Sequence, residues 1–165
     1  MKLFLLRHSI ATNTYPDEER KLTESGYGLV EKLCSFLKGE SFANLSAIWH
    51  SPYLRAFETA CAFKENLLLN VPLIENEFLT PCSNPEHVAS AISKLSHMNH
   101  DLMIVGHNPH LELLASCLMG ENKSYGSVVF DRCTLAILQL SDYPNATYPY
   151  DIWQLETLVS PNFLQ

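Results

Sequence analysis

Short apolar runs alternate with longer amphipathic segments along most of the chain. A short apolar run bounded by polar residues is typical of a buried strand, whereas apolar residues spaced three or four apart are typical of a helix. This pattern predicts strands at about 2–6, 47–49, 71–74, 102–105, 134–140 and 152–158, and helices at about 24–38, 51–68, 84–96 and 108–119. The alternation predicts an α/β fold, a three-layer sandwich with a mainly parallel central sheet and helices on both faces.

The first predicted helix has a cap, an apolar stripe and a stop signal. Thr23 can accept a hydrogen bond from a backbone N–H group at the start of the helix. Leu29, Leu33 and Phe36 belong to an apolar stripe that we expect to lie in the core. Gly39 is the kind of residue that commonly ends a helix.

A cap residue followed by proline marks the start of the other three helices. Proline is favoured at the first helical position, because its missing N–H group would have no partner there in any case. The pairs are Ser51-Pro52, Asn84-Pro85 and Asn108-Pro109. We therefore expect the side chains of Ser51, Asn84 and Asn108 to cap these helices.

Polar side chains with chemical capability follow three of the predicted strands. Arg7 and His8 follow the first strand, Arg55 lies in the first turn after the second, and His107 follows the fourth. Because ligands of open α/β sheets bind beyond the carboxyl ends of the strands, these four side chains should converge. Two helix N-termini would add positive partial charge there. Guanidinium forks bind phosphate oxygens bidentately and a neutral imidazole can attack phosphorus, so the pattern predicts a phosphoryl-transfer site.

The composition narrows the class of protein further. The chain has 165 residues, which fits one domain spanning 1–165, and its formal net charge of −7 disfavours general nucleic-acid binding. No run approaches the roughly 18 apolar residues of a membrane span, and the apolar start is too short for a signal peptide. Five scattered cysteines without a CxxC pair favour a reducing compartment, so we expect a cytoplasmic protein without a membrane partner.

Three sequence motifs follow one another along the chain. They are Leu6-Arg7-His8-Ser9, then Ser51-Pro52-Tyr53-Leu54-Arg55-Ala56 with Glu58-Thr59-Ala60, and Val105-Gly106-His107-Asn108-Pro109. In this order they resemble the motifs of the histidine phosphatase superfamily, the phosphoglycerate mutase-like proteins. The chain is most similar to the compact SixA-type phosphohistidine phosphatases, which it resembles in its short length and in the segments 17–23 and 79–82. The resemblance implies a single histidine phosphatase domain over 1–165 with a phosphoglycerate mutase-like fold.

The resemblance also implies a role for each matching residue. His8 would attack phosphorus and carry the phosphoryl group transiently, while Arg7 and Arg55 hold the phosphate oxygens. His107 would donate a hydrogen bond to the transferring group, and Arg20 would bind substrate close to the phosphate. No metal or other cofactor is expected, since these cationic groups already neutralise the charge of the transferring group.

The expected substrate is a phosphohistidine-bearing signalling or phosphotransfer protein. A phosphohistidine leaves as an imidazole that can be protonated near neutral pH, so a strong general acid is not required. A small-molecule phosphomonoesterase using the same site is the alternative, and a non-catalytic phosphohistidine-binding module is a third hypothesis. The complete set of Arg7, His8, Arg55 and His107 favours an enzyme, because a binding module has no need of a nucleophile.

Several other polar residues bear on the chemistry. Glu75 and Glu77 are the candidate general acids, although a glutamate in a loop is more often solvated. Ser9 replaces the glycine usual in the first motif and is expected to narrow the phosphate pocket if the backbone must approach closely there. Arg132 is interpreted as surface charge.

Four histidines have a spacing that imitates a metal cluster. They are His97, His100, His107 and His110. Because the predicted strand 102–105 separates the first two from the last two, we expect the pairs to lie at opposite ends of that strand and to form no metal site.

Overall fold

The computed structural model describes residues 1–37, 42–120, 126–143 and 149–164. Its strands are β1 (Lys2–Arg7), β2 (Leu45–His50), β3 (Leu73–Glu75), β4 (Asp101–Gly106), β5 (Leu135–Asp142) and β6 (Ile152–Val159). Its α-helices are α1 (Glu24–Phe36), α2 (Leu54–Asn66), α3 (Pro85–Leu95) and α4 (His110–Leu118). Each lies close to a predicted segment, so the elements expected from the apolar pattern are confirmed.

The described strands form one six-stranded sheet in the order β3-β2-β4-β1-β5-β6. The first four strands of that order run parallel to one another, and β5 and β6 continue the sheet in antiparallel orientation. The predicted α/β architecture with a mainly parallel sheet is therefore confirmed. β4 lies between β1 and β2, which makes the three strands that precede the candidate site residues direct neighbours.

Two buried clusters cover the two faces of the sheet. The alternation of side chains along β1 shows the division, because Phe4 and Leu6 point into one cluster and Leu3 and Leu5 into the other. The first cluster also contains buried residues of α1 and α2, and the second contains those of α3 and α4. The result is a three-layer sandwich. No described helix is long and apolar enough to cross a membrane.

The predicted start of α1 is confirmed, but the predicted burial of one residue in its apolar stripe is wrong. The hydroxyl group of Thr23 accepts a hydrogen bond from the Gly26 N–H group at 3.0 Å, as a cap should. Leu33 is fully buried, but Phe36 is 59% exposed because it lies beyond the edge of the inward face of the helix. Gly39, the predicted stop, lies outside the described residues.

Two of the three predicted cap-and-proline starts are also wrong. Asn84 does cap α3, where its side chain accepts a hydrogen bond from the N–H group of Glu86. By contrast, α2 begins at Leu54 and α4 at His110, each later than the predicted cap. Ser51 and Asn108 use their side chains in contacts between segments, which the local sequence does not show.

Candidate active site

The carboxyl ends of β1, β4 and β2 are held level with one another. Arg7 is paired with Gly106 in the parallel ladder between β1 and β4. Beyond the ladder, the His8 N–H group donates to the Gly106 carbonyl oxygen at 2.9 Å, and the Ser51 N–H group donates to the Val105 carbonyl oxygen at 3.1 Å. The residues that follow each strand therefore leave the sheet at the same edge and side by side.

His8 is a buried neutral imidazole whose proton can be assigned from its partners. Its Nδ1 atom lies 2.7 Å from the Ser9 carbonyl oxygen, which can only accept, so Nδ1 carries the proton. Its Nε2 atom then has the free electron pair and accepts a hydrogen bond from Arg55 Nε at 3.3 Å. Burial, followed by the positive charge of Arg55, lowers the pKa of His8 to about 3. His8 therefore presents an unprotonated ring nitrogen beside a guanidinium.

His107 lies against His8 and is also neutral. The two ring centroids are 4.9 Å apart, and burial together with the adjacent His8 and Arg55 lowers the pKa of His107 to about 2. Its Nε2 atom lies 2.8 Å from the hydroxyl oxygen of Ser51, which also accepts from the Tyr53 N–H group at 3.2 Å. Among the described residues, the buried Nδ1 atom of His107 has no hydrogen-bond partner.

Two arginines supply the positive charge next to these rings. Arg55 is 4% exposed, and its guanidinium carbon lies 4.9 Å from the centre of the Tyr53 ring. Arg7 donates from one terminal nitrogen to the Phe130 carbonyl oxygen at 2.7 Å, while its buried Nε atom has no partner among the described residues. We call Arg7, His8, Arg55 and His107 the cationic site. The predicted convergence of these four residues therefore agrees with the geometry.

The segment between Phe130 and Thr134 forms one wall beside the cationic site. The Arg7 N–H group donates to the Thr134 carbonyl oxygen, and the Cys133 N–H group donates to the His8 carbonyl oxygen. Arg132 in this segment is exposed, as its interpretation as surface charge requires. Nevertheless its charge contributes, after burial, to lowering the pKa of Arg7, and so it adds to the positive field of the site.

Arg20 reaches the cationic site through an aspartate that the sequence analysis did not single out. One Asp17 carboxylate oxygen accepts from Arg20 at 2.9 Å, and the other accepts from Arg55 at 3.0 Å. The Asp17 carbonyl oxygen also accepts from Arg55 at 2.6 Å. The hydrogen bond from Arg20, followed by that from Arg55, holds the pKa of Asp17 below its usual value. The only signal in the sequence is an acidic residue three positions before Arg20.

The remaining residues of the second motif fasten the first motif to the helices. The Thr59 hydroxyl group accepts from the Ser9 N–H group at 3.1 Å and donates to the Arg55 carbonyl oxygen at 2.7 Å. A Glu58 carboxylate oxygen accepts from the Leu22 N–H group at 2.6 Å. Thr59 and Glu58 therefore hold the loops around Arg55 in place. The sequence shows only that these residues belong to a motif, because their partners lie in other segments of the chain.

Ser9 does not narrow the site in the way expected for a residue replacing glycine. Its hydroxyl group donates to the Gly26 carbonyl oxygen at 2.7 Å, so the side chain contacts α1. Its carbonyl oxygen instead orients His8. Gly26 itself is required by close packing, because an added Cβ atom would clash with the Ile10 carbonyl oxygen.

Among the described residues, no hydrogen bond or ion pair joins the two other groups of candidates to the cationic site. Glu75 ends the edge strand β3 and Glu77 begins a short 3₁₀ helix, and both are exposed. β3 is paired with β2, the strand that precedes Arg55, and lies three strands from β1. His97 and His100 precede β4, while His107 and His110 follow it, so the expected separation of the two histidine pairs agrees with the structure.

Comparison with known proteins agrees with this geometry. The sequence model of the Histidine phosphatase superfamily (branch 1) matches residues 3–82, which contain the first two motifs. The fold is similar to the protein histidine phosphatase SixA complexed with tungstate, with a TM-score of 0.84, 22% identity and 100% of each chain covered. No curated protein matches the sequence significantly.

Phosphatases with other names share the fold. The alpha-ribazole phosphatase from Shigella flexneri aligns with a TM-score of 0.73 and 18% identity over 98% of this chain and 97% of that one. A mycobacterial glucosyl-3-phosphoglycerate phosphatase aligns with a TM-score of 0.68 and 12% identity over 94% of this chain and 96% of that one. The fold is thus one that phosphatases use, and the cationic site lies at the carboxyl ends of its central strands. Residues 3–82 thus match the sequence model of the histidine phosphatase superfamily, and the whole chain shares the fold of the phosphatases named above.

Proposed function

We propose that this protein is a phosphohistidine phosphatase that removes the phosphoryl group from a histidine of a signalling or phosphotransfer protein. The observation that carries the proposal is the pairing of an unprotonated His8 Nε2 atom with the Arg55 guanidinium in a buried cationic site. His8, Arg7, Arg55 and His107 are the proposed catalytic residues. Arg20 is proposed to bind substrate together with the two other arginines and His107.

The reaction has two displacements at phosphorus. In the first, His8 Nε2 attacks phosphorus and the P–N bond to the substrate histidine breaks. The electron pair of that bond leaves with the substrate ring, whose other nitrogen takes a proton from solvent, so that a neutral imidazole departs. In the second, water attacks the phosphoryl group on His8, which regenerates the neutral imidazole and releases inorganic phosphate. Charge on the equatorial oxygens is balanced by Arg7 and Arg55, and His107 is proposed to donate a hydrogen bond to one of these oxygens.

The state of the nearby carboxylate favours a substrate that needs little acid catalysis. Asp17 is the carboxylate in contact with Arg55, and its two ion pairs hold it in the ionised form. An ionised carboxylate is a poor proton donor to an alcohol leaving group. An imidazole leaving group can take a proton from solvent near neutral pH and does not require such a donor. This difference is the reason that a phosphohistidine is preferred over a phosphomonoester.

A small-molecule phosphomonoesterase is the second candidate function. The fold it shares with the alpha-ribazole phosphatase and the glucosyl-3-phosphoglycerate phosphatase supports this alternative. The same four side chains would perform both reactions, so kinetics rather than geometry must separate them.

The test measures kcat/KM side by side on a phosphohistidine carrier protein and on a panel of sugar, nucleotide and aryl phosphates. We expect a kcat/KM on the carrier at least tenfold above that on every ester. The variant His8→Ala serves as the control for contaminating phosphatases. A higher kcat/KM on any one ester would contradict the phosphohistidine assignment and favour the second candidate.

We further propose that residues 1–165 act as a single histidine phosphatase domain in the cytoplasm, without a metal or other cofactor. The support for this location is the set of five cysteines, all of which are free thiols. A reducing compartment keeps thiols in that state.

A further inference from the structure

We propose that Asp17 is a positioning residue of the phosphate site, which holds Arg20 and Arg55 in place and keeps Arg55 directed at His8. The inference rests on the proposed function, since it assigns a role within that same site. It concerns a residue outside the three sequence motifs.

Each of the three guanidinium nitrogens of Arg55 donates a hydrogen bond. Its Nε atom donates to His8 Nε2 at 3.3 Å. Its two terminal nitrogens both donate to Asp17, one to the carbonyl oxygen at 2.6 Å and the other to a carboxylate oxygen at 3.0 Å. Because a guanidinium is planar, two contacts on its far side fix the direction of Nε on its near side. The orientation of Arg55 toward His8 therefore depends on Asp17.

Asp17 lies in a segment that is fastened at both ends. It begins a 3₁₀ helix, Asp17–Glu19, between two hydrogen bonds that close the surrounding loop. The Thr12 N–H group donates to the Lys21 carbonyl oxygen at 2.8 Å, and the Leu22 N–H group donates to the Glu58 carboxylate at 2.6 Å. Glu58 is on the same helix as Arg55. These hydrogen bonds hold the loop that carries Asp17 against α2, the helix that carries Arg55. The contact between Asp17 and Arg55 therefore belongs to a fixed arrangement of loop and helix.

The difference in burial between the partners shows which one needs the other. The Arg55 side chain is 5% exposed, whereas the Asp17 side chain is 50% exposed. A buried guanidinium without a counter-charge is costly, and an exposed carboxylate is not. Asp17 also contacts Arg20, so a single carboxylate sets the separation of two cations that are proposed to bind the same phosphoryl group.

A positioning role differs in its kinetic consequences from simple competition with substrate. A carboxylate that only occupies the anion site would weaken phosphate binding, and its removal would lower KM without lowering kcat. A carboxylate that orients Arg55 contributes to the transition state, so its removal lowers kcat. The two roles therefore predict opposite outcomes for the same variant.

The experiment compares Asp17→Ala and Asp17→Asn with Glu18→Gln, a matched control in the same 3₁₀ helix. Steady-state kinetics on the phosphohistidine carrier and on an aryl phosphate are combined with inhibition by tungstate. In parallel, nitrogen NMR of the ligand-free protein follows the Arg55 Nε–H group and His8 Nε2. We expect Asp17→Ala to lower kcat about tenfold without tightening tungstate binding. We also expect it to weaken the Arg55–His8 hydrogen-bond signal, with Asp17→Asn intermediate and Glu18→Gln unchanged.

The inference is overturned if Asp17→Ala keeps the wild-type kcat and binds tungstate more tightly, or if the NMR signals of Arg55 and His8 do not move. Failure of the proposed function has a different signature. In that case the wild-type protein would not act on the carrier, yet the NMR response to Asp17→Ala would still report on the position of Arg55.

Discussion

Three of the buried histidines have lowered pKa values and should make the stability of the protein strongly dependent on pH between 7 and 5. His8, His107 and His110 are 8%, 1% and 0% exposed. Burial is the main cause that lowers their pKa values from 6.5 to about 3, about 2 and about 4. Below pH 6.5 the unfolded chain therefore binds three protons that the folded chain does not. The contribution of the three neutral histidines to the free energy of unfolding is fully present above that pH and is lost as the pH falls.

The size of the effect follows from the difference in bound protons. Each histidine costs about 2 kcal/mol of unfolding free energy on going from pH 7 to pH 5, and the three together cost about 6 kcal/mol. That loss is comparable with the whole stability of an ordinary domain, about 5–15 kcal/mol. Asp17 does not contribute in this range, since its pKa is lowered from 3.8 and its stabilising effect is lost only at lower pH.

Urea unfolding at pH 7, 6 and 5, followed by tryptophan fluorescence in phosphate-free buffer, measures this loss directly. The matched variant is His110→Leu, because both ring nitrogens of His110 lack partners among the described residues and the side chain lies outside the cationic site. We expect the loss in the variant to be smaller by about 2 kcal/mol. Equal stability of the wild-type protein at pH 7 and pH 5 would refute the claim that these imidazoles are held neutral.

Three further predictions follow from the same contacts. Removal of divalent ions with EDTA should leave phosphatase activity intact, and inhibition that a divalent ion reverses would refute the metal-free proposal. Phosphate should raise the pKa of His107 in an NMR titration, because a bound anion favours the charged ring; identical curves with and without phosphate would count against this. Gly26→Ala should destabilise by about 2 kcal/mol in thermal unfolding, since its Cβ atom would clash with the Ile10 carbonyl oxygen. Gly28→Ala, which meets open space in the same helix, is its control and should not destabilise.

The sequence was sufficient to predict the cationic site because strand ends and motif residues coincide. Arg7 and His8 follow the apolar run 2–6, and His107 follows the run 102–105. Arg55 lies in the first turn of the helix that follows the run 47–49. In a parallel sheet, residues that follow the strands reach one edge. The order of strands was not predictable from these runs, since it depends on how β4 packs between β1 and β2.

The parts that sequence reasoning missed are contacts between segments distant in the chain. Ser51 and Asn108 have the local pattern of helix caps, yet the structure directs Ser51 to His107 and Asn108 to the Phe130 carbonyl oxygen. Asp17 lies in the segment 17–23, whose resemblance to the family assigned no contact to it, and its partner Arg55 is 38 residues away in the chain. Local propensity cannot reveal such pairings, because their free energy comes from the folded arrangement.

The central claim is that the Nε2 atom of His8 attacks phosphorus and carries the phosphoryl group. The most direct test mixes the protein with a carrier bearing radiolabelled phosphohistidine, quenches the reaction in alkali within milliseconds, and locates the label by peptide mapping. The account predicts transient, acid-labile label on His8, and neither label nor turnover in His8→Ala. Label on any other residue, or normal turnover by His8→Ala, would contradict it.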